Sequence, residues 1–242
     1  IKIRNVLNDN YAYFYVKKAD ASRIYGLELE HMLSPHNLNF LVYNDTLIEE
    51  HIIGIPGDVF IENMLPDCTS SEKSQIAKEF VKFNERCMIR LLGDMRSYNY
   101  VIVPTHDFDH VVYSIRAIDF DQQCFEGKFN VYRPQFFKEN FKMVDLVTQR
   151  FEKQSVNQYK LEERSIVAKR LLSFKNRIER LIQCMISDTL STPEHEMLLR
   201  TKIFEYTGDA RFMKSKNMGE ILKYSLSFIK RNYQTENSGI FF

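Results

Sequence analysis

Residues 69 to 118 combine a helix pattern, a short polar loop and two strand patterns in direct succession. Thr69 and Glu72 have the spacing of a capping box, which marks the start of a helix. Apolar residues then recur at intervals of three and four, namely Ile76, Phe80, Phe83, Cys87 and Leu91. The runs YVIV (100–103) and VVYSIRAI (111–118) have strand composition and are joined by the polar loop PTHDFDH. We therefore predict a helix that leads through a polar loop into a β-hairpin.

The first fifty residues predict a strand, a helix and two further strands. YAYFYVKK (11–18) is rich in aromatic residues and ends in two lysines, and residues 22–33 have the period of a short amphipathic helix. NFLVY and TLIEEHII then read as strands, joined by a turn at Asn44 and Asp45. The breaker cluster GIPGD (54–58) marks the first boundary.

From about residue 136 onward the pattern is helical. The clearest apolar stripe consists of Val167, Leu171, Phe174, Ile178, Leu181 and Met185, and it predicts one continuous helix. The basic residues of 164–180 alternate with that stripe, which is typical of a solvated face. Another helix is predicted near residues 218–233, and the tail NSGIFF is expected to fray. Strands followed by helices indicate an α+β protein.

Three polar residues lie where the predicted helix, loop and hairpin meet. Asp94 and Asn99 are five residues apart in the loop, and Asp119 follows the second strand. Phosphoryl transfer needs a carboxylate that orients a hydroxyl and oxygen ligands for Mg²⁺. Asp94 suits the first role, and Asn99 and Asp119 suit the second. The alternative is that Asp94 and Asn99 only close a turn through bonds to the backbone.

LLGDMRSYNYVIV (91–103) followed by AIDFD (117–121) resembles the catalytic loop and metal-binding segment of the protein-kinase-like phosphotransferases. The residues are most similar to the aminoglycoside phosphotransferase pattern, and HipA-type kinases and type II phosphatidylinositol 4-kinases share the same layout. By this resemblance Asp94 is the catalytic aspartate and Arg96 occupies a loop position that is often basic. The same resemblance implies that Asn99, Asp119 and Asp121 are candidate metal ligands and that the cofactors are ATP and Mg²⁺.

The resemblance extends to the N-terminal part of the chain. Lys17 is similar to the lysine that holds the donor phosphates, and Glu28 or Glu30 to its ion-pair partner on a helix. The backbone of Glu50, His51 and Ile52 would meet the adenine. The implied fold is bilobal, with a small, truncated β-rich N-terminal lobe and a mainly helical C-terminal lobe. We expect a partial N-lobe at 1–53, the hinge and catalytic core at 54–135 and a helical subdomain at 136–242.

Two departures from the family pattern favour a rival reading. Leu92 stands where the motif has histidine, and no glycine precedes Lys17, so a glycine-rich loop is missing from the sequence. The chain begins at Ile1 without methionine, and we expect further residues before it. The rival hypothesis is a pseudokinase-like module that binds a nucleotide or partner without catalysis. The family resemblance itself implies a kinase that acts on an unidentified protein or small molecule.

Composition narrows the expected partners. Lysine and arginine total 33 against 32 acidic residues, so no basic field favours nucleic acid. A nucleic-acid binder that uses the 164–180 face is therefore the weakest alternative. No apolar run is long enough to span a membrane. The four cysteines, Cys68, Cys87, Cys124 and Cys184, have no metal or disulfide spacing, which predicts reduced thiols and a cytoplasmic protein.

Overall fold

The computed structural model of the protein describes residues 1–4, 11–107 and 110–233. Within these residues the strands are β1 Lys2–Arg4, β2 Tyr11–Lys18, β3 Phe40–Tyr43, β4 Thr46–Glu50, β5 Ile55–Pro56, β6 Tyr100–Asp107 and β7 His110–Ala117. The α-helices are α1 Ala21–Leu33, α2 Gly57–Asn63, α3 Ser70–Arg90, α4 Phe141–Arg150, α5 Lys153–Ser173, α6 Lys175–Ser187, α7 Pro193–Thr207 and α8 Met218–Asn232. The predicted α+β class is confirmed.

The first sheet has the order β1-β2-β4-β3, and its strands are antiparallel. The predicted order of strand, helix and two strands is confirmed, because α1 lies between β2 and β3. In the β2–β4 register Lys17 is opposite Leu47 and Tyr15 is opposite Glu49. Side chains two residues apart on a strand share a face. These four side chains therefore lie on one face of the sheet.

The second sheet has the order β5-β6-β7, and Ile55 and Pro56 of the GIPGD segment form β5. Its hairpin is longer than the sequence predicted, because the ladder continues through Asp107 and His110. Most of the predicted loop PTHDFDH is therefore strand, and residues 108–109 lie outside the described residues. Pro104 is tolerated because β5 pairs only with residues 101 and 102, which leaves the other edge of β6 open at that point.

Helix α3 connects the two sheets to the C-terminal helices. The predicted capping box is present, since the Thr69 side chain accepts from the Glu72 N–H and Glu72 bonds back to Thr69. Phe80, Val81 and Phe83 of α3 are buried together with residues of both sheets. The helix ends at Arg90 with Leu91 as its C-cap, next to the last apolar position of the predicted period, and the chain then enters the polar loop.

The C-terminal half is helical, as predicted, but one helix assignment was wrong. The continuous stripe from Val167 to Met185 belongs to two helices, because α5 ends at Ser173 and α6 begins at Lys175. Phe174 lies at the corner with φ −102° and ψ 19°. The corner lets α5 pack on α1 and α3 while α6 packs on α8. A periodic sequence alone does not reveal such a change of direction. The predicted frayed tail lies outside the described residues.

Several charged residues of the helices are buried rather than solvated. Arg86 bonds Glu163 at 2.8 Å, and Arg164 bonds Glu85 at 2.5 Å. The expectation of a solvated basic face at 164–180 is therefore wrong for Arg164. It is also wrong for Arg170, whose guanidinium donates to main-chain oxygens of α1.

The described cysteines are all free thiols, as predicted. None of the helices in the described part of the chain combines the length and apolar character needed to cross a bilayer.

Candidate active site

The chain leaves α3 through a turn whose backbone is tied to the segment after β7. Leu91 ends the helix with a positive φ of 56°. The Gly93 N–H donates to the Gln122 carbonyl at 3.1 Å, and the Asp94 N–H donates to the Val131 carbonyl at 3.1 Å. These bonds hold the loop against the end of the hairpin.

Asp94 contacts Asn99 and Arg96 within this loop. Its φ is 56°, in the left-handed region that aspartate and asparagine adopt more readily than most residues. The carboxylate accepts from Arg96 Nε at 2.8 Å and from Asn99 Nδ2 at 3.3 Å. Asn99 Nδ2 also donates to the Asp94 carbonyl at 2.8 Å. These bonds use the amide N–H₂ group of Asn99, and its amide oxygen has no hydrogen-bond partner among the described residues.

Arg96 joins Asp94 to a second acid. Its Nη1 donates to Glu139 at 3.0 Å, and its guanidinium lies over the Phe137 ring, 4.9 Å from the centroid. The hydrogen bond to Asp94 is the main cause that raises the pKa of Arg96. The side chains of Asp94 and Arg96 are each 34% exposed. A molecule that enters from solvent can therefore reach the Asp94 carboxylate while Arg96 holds it in place.

Asp119 and Asp121 follow β7 and are tied to the loop through Asn99. The Ile118 N–H donates to the Asn99 carbonyl at 3.1 Å, which brings the end of β7 to the loop. One oxygen of Asp119 and one of Asp121 each lie 3.8 Å from Arg23 Nη2. Burial and then the charge of Asp119 raise the pKa of the Asp121 carboxyl. The two acids therefore face one another across a single guanidinium.

Lys17 pairs with a residue that the sequence analysis did not select. Its Nζ lies 3.0 Å from Glu49 Oε2 on the neighbouring strand β4. The two residues are diagonal neighbours on one face of the sheet, a position from which long side chains can interact. Burial raises the pKa of the Glu49 carboxyl, although the contact with Lys17 opposes that shift.

The predicted ion pair between Lys17 and an acid of α1 is therefore wrong. Glu30 pairs with Arg90 of α3, and both side chains are almost completely buried. Glu28 pairs with Arg177 of α6 at 2.7 Å. Burial raises the pKa of Glu30, but the charges of Arg90 and Arg86 lower it further, so that its net direction is downward. Both acids attach α1 to the helices instead of reaching the sheet.

A cleft of about 480 Å³ brings together most of the predicted site residues. Those that line it are Lys17, Glu50, His51, Ile52, Asn99 and Asp119. Asp94 contacts Asn99 at its edge, and Asp121 lies beside Arg23, which also lines the cleft. Glu28 and Glu30 are engaged elsewhere. Tyr15 and Glu49 also line the cleft, and its apolar part is formed by Val101, Ile118 and the residues near Gly54.

The predicted hinge is held to the first sheet. The His51 N–H donates to the Tyr13 carbonyl at 2.8 Å, and its Nδ1 lies 2.8 Å from the Tyr15 hydroxyl. Glu50 accepts from the Asn39 side chain at 2.8 Å. Tyr15 and His51 thus give this end of the cleft an aromatic wall, whereas the opposite end is charged.

The charged end fits a hard divalent cation. It offers the amide oxygen of Asn99, which accepts from none of the described residues, and the carboxylates of Asp119 and Asp121, whose contacts to Arg23 are longer than hydrogen bonds. Mg²⁺ takes oxygen ligands and often uses only one or two carboxylates, with water and phosphate at its other positions. The described residues contain no cluster of three or more His, Cys, Asp or Glu side chains arranged around a metal position. A site with so few carboxylates therefore depends on Asn99 and on the ligand itself.

Three residues that line the cleft were not predicted as site residues from the sequence, namely Tyr15, Arg23 and Glu49. Tyr15 and Glu49 share a face with Lys17, and the strand period places them there once the β2–β4 pairing is known. Arg23 stands three residues after the N-cap Asp20, a spacing that matches an ordinary helix start. Only the tertiary structure shows that this turn faces the cleft.

No protein-family model matches this sequence, and no curated protein is significantly similar to it.

Proposed function

We propose that the protein is an ATP-dependent phosphotransferase with a bilobal protein-kinase-like fold. One observation carries the proposal: Asp94 contacts Asn99, and Asn99 shares a single cleft with Asp119, Lys17 and the segment Glu50–Ile52. These are the groups that phosphoryl transfer requires, and they come from both sheets and the loop between them. The acceptor is a hydroxyl group of a protein or a small molecule.

Each residue has a role that its contacts support. Asp94 accepts a hydrogen bond from the acceptor hydroxyl and orients it, while Arg96 keeps the carboxylate in place. Asn99, Asp119 and Asp121 hold Mg²⁺, which when bound supplies positive charge to the transferring phosphoryl group. Lys17 contacts the donor phosphates, and Glu49 positions its ammonium group. Tyr15 and the hinge backbone enclose the base. We also propose a cytoplasmic location, which the four free thiols support.

The decisive experiment replaces the Asp94 carboxylate with an amide. Asparagine tolerates the left-handed backbone at this position, so Asp94→Asn should fold normally. Turnover of Mg²⁺-ATP, measured as ADP release with water as the acceptor, should fall by at least about 100-fold. The dissociation constant for Mg²⁺-ATP should stay within about twofold of the wild-type value. Asp145→Asn, at an exposed residue of α4, is the matched control and should leave turnover unchanged.

Two results would count against catalysis at Asp94. Equal turnover in the wild-type protein and in the Asp94→Asn variant would remove this residue from the mechanism. A wild-type protein that binds Mg²⁺-ATP but never releases ADP would favour the nucleotide-binding module. Leu92 gives that second function its specific support, because a buried apolar side chain occupies the position where the family motif has histidine.

A further inference from the structure

Arg23 occupies the space between the two acids at the charged end of the cleft. It lies in the first turn of α1, where its backbone N–H and its Nη1 each bond Asp20 at 2.9 Å. Its Nη2 lies 3.8 Å from Asp119 and 3.8 Å from Asp121. The side chain is 20% exposed and lines the same cleft as Lys17. The Nη1 side of the Arg23 guanidinium is thus held by Asp20, and its Nη2 side faces the cleft.

Two donor atoms of the Arg23 guanidinium, Nε and Nη2, make no hydrogen bond within normal distance to Asp119, Asp121 or any other described residue. Its Nε atom is buried and has no hydrogen-bond partner among the described residues. The contacts of Nη2 with Asp119 and Asp121 exceed hydrogen-bonding distance. A buried N–H donor without a hydrogen-bond partner lowers the stability of the fold. Structures retain such donors mainly where a ligand or a water molecule accepts from them. Arg23 therefore lies where a ligand could bind and has N–H donors that a ligand could use.

The charges around Arg23 indicate which kind of ligand would accept its hydrogen bonds. Four carboxylates, those of Asp20, Glu49, Asp119 and Asp121, surround the two cations Lys17 and Arg23. Arg23 places its positive charge beside both Asp119 and Asp121. With Mg²⁺ on these acids, Nη2 of Arg23 would join the unpartnered Nε as a donor to an anion. Arginine recognises phosphate oxygens through paired N–H donors, which matches this geometry.

We propose that Arg23 is a phosphate-binding residue of the nucleotide site. Its guanidinium lies beside Asp119 and Asp121 in the structure, and it would bind the donor phosphates when Mg²⁺-ATP enters. This inference rests on the proposed function, and it adds a second phosphate cation beside Lys17. Asp20 keeps the guanidinium at the mouth of the cleft in both states.

The test compares Arg23→Gln and Arg23→Lys with a matched control on α6, an arginine that pairs with an acid of α1. Arg177→Gln removes an exposed guanidinium that pairs with Glu28 and lies away from the cleft. Binding is measured by calorimetry with a non-hydrolysable ATP analogue plus Mg²⁺, with adenosine, and with Mg²⁺ alone. Arg23→Gln should weaken the Mg²⁺-analogue at least about tenfold and leave adenosine within about twofold. It should bind Mg²⁺ alone at least as tightly as the wild-type protein, because a competing cation is gone.

Arg23→Lys keeps the charge but not the paired donors, so its affinity for the analogue should lie between those of the wild-type protein and Arg23→Gln. It also supplies a readout if Arg23→Gln proves unstable. Equal affinity of Arg23→Gln and wild-type protein for the Mg²⁺-analogue would overturn the role of Arg23 alone. A parallel loss of adenosine binding would also overturn it, since the effect would then concern cleft shape. A wild-type protein and an Arg177→Gln variant that both fail to bind the Mg²⁺-analogue would overturn the proposed function, and this inference with it.

Discussion

The ion pair between Glu30 and Arg90 yields a prediction that separates folding from ligand binding. Both side chains are buried, with 4% and 1% of their surface exposed, and they join α1 to α3. The Nη2 atom of Arg90 already has no hydrogen-bond partner among the described residues. Glu30→Gln keeps the shape of the side chain but leaves the Arg90 charge uncompensated. Removal of one partner from a buried pair typically costs about 3–5 kcal/mol of the free energy of unfolding.

Urea unfolding followed by circular dichroism measures this loss. With a slope of about 3 kcal/mol per molar urea, the midpoint should fall by on the order of 1–2 M. Glu28→Gln is the matched control, because Glu28 lies two residues away on α1 in a partly exposed pair with Arg177. Exposed pairs contribute about 0–1 kcal/mol, so this control should shift the midpoint only slightly.

The opposite pattern would refute the reasoning. If Glu30 were the partner of the phosphate-binding lysine, Glu30→Gln would weaken nucleotide binding and leave the urea midpoint almost unchanged. The structure predicts a large stability loss and, at urea concentrations where the variant is folded, an unchanged dissociation constant for Mg²⁺-ATP.

Two further predictions concern the packing around the same helix. Gly26→Ala would place a Cβ 2.8 Å from the Cβ of Phe120, the residue between Asp119 and Asp121 in the sequence. The free energy of unfolding, measured with urea, should therefore fall by about 1–2 kcal/mol despite the better helix propensity of alanine. The variant should also bind Mg²⁺-ATP more weakly. An unchanged midpoint would contradict this contact. Burial and then the charge of Arg86 lower the pKa of His36 from 6.5 to about 4, so the folded protein resists protonation there. As the pH falls below about 6.5, the unfolded chain binds this proton before the folded protein does. The free energy of unfolding therefore keeps its full value above that pH and decreases toward pH 4. Between pH 7 and 5 this loss should reach about 2 kcal/mol in the wild-type protein relative to His36→Gln, and a pH-independent difference in unfolding free energy would contradict it.

Local signals made the central part of the fold predictable. The capping box at Thr69 and the apolar period of α3 depend on contacts within a few residues, and so does the alternation in β2. The polar loop was therefore placed correctly between a helix and a hairpin. The hairpin was longer than predicted because the backbone ladder of β6 and β7 does not depend on which side chains are polar. The corner at Phe174 was missed because neither glycine nor proline marks it.

The partners of charged residues were not predictable from the sequence. Periodicity assigns arginine and glutamate to a solvated face, yet Arg86, Arg90 and Arg164 are buried because each meets an acid from another helix. Such pairs join residues at least 60 positions apart, and sequence spacing carries no information about them. The choice of Glu28 or Glu30 for Lys17 failed for the same reason. Glu49 lay on the adjacent strand, where pairing register decides the contact.

Helix α1 follows β2 in the chain, but its attachments lie elsewhere. Glu30 binds α3, Glu28 binds α6, and the carbonyls of its last turn accept from Arg170 of α5. Its amide protons should therefore exchange with solvent at the slow rate of the α3 cooperative unit, while those of the four-stranded sheet exchange faster. Opening of the cleft would therefore move the four-stranded sheet relative to α1 and Arg23. The backbone dihedral changes of that movement would occur in the short connections at Ala19 and residues 34–39.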